Sequence, residues 1–336
     1  MGEAWKILAA SHSRLSWQEG NTGRFKEQVN PMGSGQIEKA NKCTKKYKKM
    51  NPICALCEQP KDLKKSHLIP KFVFRWLKTS GGEHFRKAYN PNKRVSDGLK
   101  PELLCHDCEQ KFGKLEDKFA REIFYPYLEK GQQKFEYDDY LFQFVVSVLW
   151  RTALYTLPSA SIKHKPLVES TLTDWREFLN GEKQLPNTNK VHLFFTTDKL
   201  KHNIQPVERF LNYWARSVDG SIAYGTNTCI VYAKLARVIF IGEISSFDST
   251  GMVNTMINQT GIIDISSMNI NWAIRDFIVD RVRSLNCHFD NISDRQLKVA
   301  LDNTNEQLKN MVGSDIWNIS QQEKNMRIDP DNFDFV

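Results

Sequence analysis

The feature that most constrains this chain is a pair of C-x-x-C motifs, Cys54–Cys57 and Cys105–Cys108, separated by 47 residues. Each motif can form a tight knuckle that presents two sulfurs, and two knuckles complete the tetrahedral shell of a zinc ion. Such a site ties together a segment poor in core residues, contributing on the order of 10–16 kcal/mol of apparent binding free energy to folding. The alternatives are two buried cysteine pairs or a redox dithiol, but a redox dithiol needs only one pair beside a thioredoxin-like pattern, which is absent. Seven cysteines, an odd number, also argue against an extracellular disulfide framework.

Charge is concentrated around the same motifs. Residues 36–100 hold 17 Lys and Arg against 5 Asp and Glu, whereas the whole chain carries a formal charge of only +8. A local basic excess favours polyanions, nucleic acid first; a solvated lysine-rich linker is the bland alternative for Lys45–Lys49. The best apolar run, Leu141–Trp150, is too short for a membrane helix and reads as a buried one. The opening MGEAWKILAASHS has too short an apolar run for a secretory signal, and Lys6 stands where a myristoylation signal needs Ser or Thr. The expectation is a soluble, cytoplasmic protein with no membrane partner.

The chain divides into three parts by pattern: a polar, disordered extension over 1–45, a cysteine-bearing module over 46–130, and a larger α+β domain over 131–336. Pro70 and Gly81–Gly82 bracket a short helix over 71–79. Residues 81–100 read as loop. Apolar residues at Phe112, Leu115, Phe119 and Ile123 predict a helix from Glu109 that ends near Tyr125–Pro126. Further helices are expected over 139–156, 173–179, 270–283 and 294–311. The runs 191–195, 210–218, 222–226, 228–235 and 236–244 read as strands, with Asp219–Gly220 as a hairpin turn. Cys229 reads as core; Cys43 and Cys287 have no partner pattern. No P-loop, G-x-G-x-x-G, H-E-x-x-H or G-x-S-x-G motif is found.

The text CALC…SHLIPK…LLCHDCE, followed by a helix, resembles the HNH endonuclease family in its zinc-stapled form over residues 50–125. The resemblance implies a β-hairpin followed by a helix gripping one divalent metal, here as a zinc-stapled ββα module ahead of a mixed helix and antiparallel-sheet domain. It places His67 on the general-base histidine, Cys54, Cys57, Cys105 and Cys108 on the structural zinc ligands, and Glu109 on the metal-ligand position at the start of the helix. The sequence departs from the family at three places. Ser66 stands where an acid is usual, Lys100 stands near the expected middle Asn, and Glu109 replaces His or Asn.

On this reading neutral His67 takes a proton from water, the hydroxide attacks phosphorus, and one Mg²⁺ or Mn²⁺ ion offsets the developing charge. Glu116, seven residues beyond Glu109 on the same helix face, and Asp97, in the insertion, are further candidate oxygen donors. Lys71 and Arg94 are candidate phosphate contacts. Each has a bland counterpart: a backbone hydrogen bond for His67, a helix-dipole partner in Glu109, a lysine salt bridge for Glu116. Phe72, Trp76, Phe112 and Phe119 are expected as a small core around the zinc. The family resemblance implies duplex DNA as the substrate and is compatible with a defence role. Two other classes fit the residues: a zinc-stapled nucleic-acid-binding module without catalysis, and a zinc-stabilised adaptor. The C-terminal part is a candidate surface for a protein partner or for self-association.

Overall fold

A computed structural model of the chain describes residues 52–81, 85–87, 90–184, 190–202, 204, 207–225, 228–299 and 312–328. The expectation of a disordered extension over 1–45 lies outside these residues. The fold is α+β with small antiparallel sheets.

Strands β1 (Leu63–Lys65) and β4 (Glu102–Cys105) pair antiparallel and lead into α2 (His106–Phe119). The pairing continues past β1: Ser66 N–H donates to the Pro101 carbonyl at 3.0 Å and Leu68 N–H to that of Leu99 at 3.1 Å. Between β1 and β4 lies α1 (Lys71–Thr79), with the expected bounds, its apolar face formed by Phe72, Val73, Trp76 and Leu77. The expected loop over 81–100 instead holds a hairpin, β2 (Phe85–Lys87) with β3 (Asn90–Val95). Its residues are mostly basic and polar, so the hydrophobic alternation that announces a strand is missing.

Helix α2 does not stop at Pro126. It passes through a π-helical turn, Ala120–Phe124, into α3 (Tyr125–Lys130), which ends on Gly131 at φ 66°. The wider turn lies directly before the proline, whose ring would clash with an i−4 carbonyl and which has no N–H to donate.

The second part is built on a four-stranded antiparallel sheet of order β6 (Val191–Phe195), β9 (Val238–Ser245), β8 (Cys229–Leu235), β7 (Val218–Tyr224). Helix α4 (Asp139–Thr156), capped by the Asp138 carboxylate on Tyr140 N–H, is buried on nearly all sides between this sheet and α2. Helix α5 (Lys165–Asn180) starts earlier than expected and ends on Gly181 as expected. It packs over β9 where Gly242 has no side chain; a Cβ there would lie 2.7 Å from the Trp175 ring.

Two expectations fail here. Residues 210–216 form helix α7 (Phe210–Arg216), not a strand, because periodicity over a short, mostly apolar run does not separate the two. Asp219–Gly220 is not a turn but lies inside β7, its residues paired with Lys234 and Ala233. The tight turn is instead Ala236–Arg237, between β8 and β9, with Ala236 at φ 55°.

Short helix α6 (Asp198–Lys201), strands β5 (Lys134–Tyr137) and β10 (Gly261–Asp264), and helices α8 (Trp272–Phe289) and α9 (Asp315–Ile328) complete the named elements. Residues 294–299 are helical; the rest of the helix expected there lies outside the described residues. Buried apolar side chains from Cys54 to Ile319 form one cluster, so the cysteine-bearing part and the sheet share a core. Cys229 is in it, and so are Phe72, Trp76, Phe112 and Phe119. No helix among the described residues is long and apolar enough to cross a membrane.

Candidate metal centre and histidine site

Four sulfurs meet as the spacing requires. Cys54 and Cys57 sit on a turn closed by Cys54 N–H to the Gln59 carbonyl and Glu58 N–H to the Cys54 carbonyl, with Glu58 at φ 55°. Cys105 ends β4 and Cys108 lies in the first turn of α2. All four Sγ atoms lie within 4.8 Å of one another, none is in a disulfide, and Cys57 Sγ is 3.8 Å from Cys105 Sγ. Zinc–sulfur bonds of 2.3 Å in a tetrahedron require sulfurs about 3.8 Å apart. Burial pushes the Cys54 thiol up, but N–H groups of Cys105, Cys57 and Leu56 outweigh it and bring its pKa down to about 7. Burial and the neighbouring sulfurs push Cys108 strongly up. Four such thiols ionise together only around a cation, so the donor set fits a zinc ion. The knuckle is braced from α5, where Asn180 donates to the Leu56 carbonyl at 2.8 Å and Arg176 meets Glu58 at 3.2 Å.

His67 follows β1, the strand whose Leu63 pairs with Cys105. Its Nε2 is 3.1 Å from Asp97 Oδ1, and its side chain keeps 14% of its exposure. Burial lowers the pKa of His67 below its ordinary value, with the Asp97 hydrogen bond and charge opposing, so the ring is neutral near pH 7. Asp97 follows β3. Burial pushes its carboxyl up, but Lys100 at 2.6 Å, the Gly98 N–H at 2.8 Å and His67 overcome this and hold its pKa at about 2. Gly98 is required here: a Cβ would lie 2.4 Å from the ring of buried Phe74.

Glu109 sits in the first turn of α2, and its Oε2 accepts a hydrogen bond from Ser66 Oγ at 2.5 Å. Ser66, fully buried in the place where an acid was expected, therefore anchors the acid at 109. Glu109 is close enough for its charge to favour protonation of His67. Glu116 faces a different partner from the one expected. It pairs with Arg151 of α4 at 2.8 Å, and the same guanidinium nitrogen donates to the His67 carbonyl at 2.7 Å. Burial raises the pKa of Glu116 and the Arg151 charge opposes it. Through Arg151 it is linked to the histidine segment.

Lys71 is exposed at the start of α1, and Arg94 stands on β3 opposite Arg86. Neither makes a hydrogen bond or ion pair with His67, Asp97 or Glu109 among the described residues. The cysteine cluster is the one group of three or more His, Cys, Asp or Glu donors found among the described residues. His67, Asp97 and Glu109 therefore do not close a second metal cage. Asp97 is engaged by Lys100, Gly98 and His67, and one oxygen of Glu109 by Ser66.

Arg151 is the residue the sequence reading missed, and its signal was an arginine inside the apolar run LFQFVVSVLWRTAL. A second histidine–carboxylate pair, His192 with Glu243 at 2.7 Å, is buried in the sheet and has its other ring nitrogen on Thr255 at 3.0 Å; it braces β6 to β9. Compared with protein-family models, with curated proteins and with solved structures, the chain returns no match.

Proposed function

We propose that the chain is a metal-dependent endonuclease that hydrolyses phosphodiester bonds in nucleic acid, duplex DNA first, with His67 as general base. The observation that supports this reading is the His67–Asp97 pair, with His67 next in sequence to the Ser66 that holds Glu109, beside a hairpin–helix unit carrying the four-cysteine cluster. With Nε2–H directed at Asp97, the proton-free Nδ1 is the basic atom. Nδ1 takes a proton from water as the water oxygen bonds to phosphorus and the phosphorus–oxygen bond to the leaving strand breaks. A divalent ion held through Glu109 would offset charge on the phosphate. The zinc centre takes no part in the reaction; it fixes the two ends of the hairpin. Lys71 and Arg94 supply charge along the path of the backbone.

The test is cleavage of plasmid DNA by zinc-loaded protein with added Mg²⁺ or Mn²⁺. Cleavage should fall on the order of 10²–10⁴-fold in His67→Ala, the usual contribution of a general base, with zinc content unchanged. Undiminished cleavage by His67→Ala removes the assignment. Among the described residues His67, Asp97 and Glu109 form no three-donor cluster, which favours one other reading, a nucleic-acid-binding module without catalysis. Salt-sensitive DNA binding with no cleavage by the wild-type chain selects it.

A further inference from the structure

The β2–β3 hairpin, α1, α7, β7 and α8 surround a cavity of about 1190 Å³. Six basic side chains and two acidic ones line it; Asp97 pairs with Lys100 at 2.6 Å, Asp219 with Arg281 at 2.5 Å, Arg216 with Asp315 at 2.7 Å and Arg209 with Asp290 at 3.3 Å. Arg86 differs from the other arginines of the wall. Among the described residues its guanidinium donates to neutral acceptors, the carbonyls of Pro91 at 2.6 Å and Gln296 at 3.1 Å and the Gln296 side chain at 3.3 Å. Directly across the hairpin from it stands Arg94. Like charges opposite one another on paired strands destabilise the pair, and burial together with Arg94 pushes Arg86 down from its ordinary value. The same wall is aromatic: Phe74 and Phe85 meet edge to face at 5.7 Å, and Phe289 lines the far side.

We propose that this cavity binds an organic anion with a flat aromatic body, the chemistry of a nucleotide, its phosphate against Arg86 and its ring against Phe74 and Phe85. An anion there relieves the Arg86–Arg94 repulsion, and apolar walls with a few placed polar groups are what such a ligand needs. The cavity also touches the histidine site, because it is lined by Asp97, which holds His67, and by Lys100, which holds Asp97. An anion near Lys100 competes with Asp97 for the ammonium and so alters the partner of His67. That coupling rests on the nuclease reading; the binding does not.

The source is either a free nucleotide or the phosphorylated end of a strand. The experiment is calorimetric titration of the zinc-loaded full chain with adenosine 5′-monophosphate, a 5′-phosphorylated oligonucleotide, inorganic phosphate and decanoate. Saturable binding of the monophosphate identifies a free nucleotide, and binding of the oligonucleotide alone identifies a strand end; either supports the cavity. Arg86→Gln should weaken binding about tenfold or more, as loss of a charge-assisted hydrogen bond does, with zinc content and melting temperature retained. Leu285→Trp, which fills the cavity without touching charge, should abolish it. Failure of both nucleotide probes to bind, preference for decanoate, or affinity unchanged in both variants overturns the proposal. Binding without cleavage leaves the cavity standing and removes the nuclease; cleavage without binding does the reverse.

Discussion

The guanidinium of Arg151, on α4, holds the main-chain carbonyl of His67 at 2.7 Å while the same nitrogen pairs with Glu116 at 2.8 Å. The imidazole is thus positioned from two sides, by Asp97 on its ring and by Arg151 on its backbone.

Breaking this buried arrangement should be costly. Arg151→Ala leaves a carboxylate and a carbonyl without their donor, and loss of one partner of a buried pair costs about 3–5 kcal/mol. Replacing both residues, Arg151→Met with Glu116→Met, should cost less than Arg151→Ala alone. Urea unfolding of the three proteins gives the comparison; a double variant as unstable as the single one would refute a pairwise origin.

Metal content is the next check. Reduced, pure protein should hold one zinc per chain, and Cys105→Ser should lose it together with cooperative unfolding. Chelation should unfold the cysteine-bearing part, since binding of this kind contributes on the order of 10–16 kcal/mol. A chain free of zinc with an unchanged melting curve would contradict the assignment.

The pH dependence has a definite sign. His67 has a lowered pKa in the folded state, so it is neutral and basic at pH 7 and protonates only below its ordinary value of 6.5. The acid limb of the cleavage profile should therefore lie below pH 6.5. Asp97, depressed to about 2, contributes stability that is present above the ordinary carboxylate pKa and is lost as pH falls from about 4 through about 2. Asp97→Asn should remove that loss and lower cleavage, because the amide neither pairs with Lys100 nor favours imidazolium. A profile whose acid limb rises above pH 7 would point to another base.

Gly98→Ala tests the backbone next to Asp97. The added Cβ lies 2.4 Å from the Phe74 ring, and overpacking of a filled site costs about 1–3 kcal/mol. Stability should fall by that amount and cleavage by more than the unfolded fraction accounts for, since Asp97 moves with its neighbour. Unchanged cleavage would mean that the His67–Asp97 contact is not needed.

Much of this was legible in residue order. The cysteine spacing announced the cluster, Pro70 and Gly81 bounded α1, and the apolar face of 139–156 marked α4. What failed has common physical causes. Residues 210–216 make only two turns, and their two polar positions, Asn212 and Arg216, are too few to distinguish helix from strand. The β2–β3 hairpin carries Arg86, Lys87, Lys93 and Arg94 where strands usually show alternation. Asp219–Gly220 looks like a turn, but the Asp219 carboxylate is fixed in the interior by Arg281 and by Tyr213 at 2.8 Å, contacts made far along the chain. The partner of Glu116 was likewise set by tertiary packing, which put an arginine of α4 where a nearby lysine was expected.

The long separation of the two knuckles also sets an order of events during synthesis. At about 5–20 residues per second, the second knuckle leaves the ribosome roughly 2–10 s after the first. Over that interval Cys54 and Cys57 are exposed thiols with half a ligand shell. Arg151 emerges later still, so His67 gains its backbone anchor only after α4 has docked. A nascent chain stalled before that helix has all four cysteines, yet the His67 carbonyl still waits for its donor.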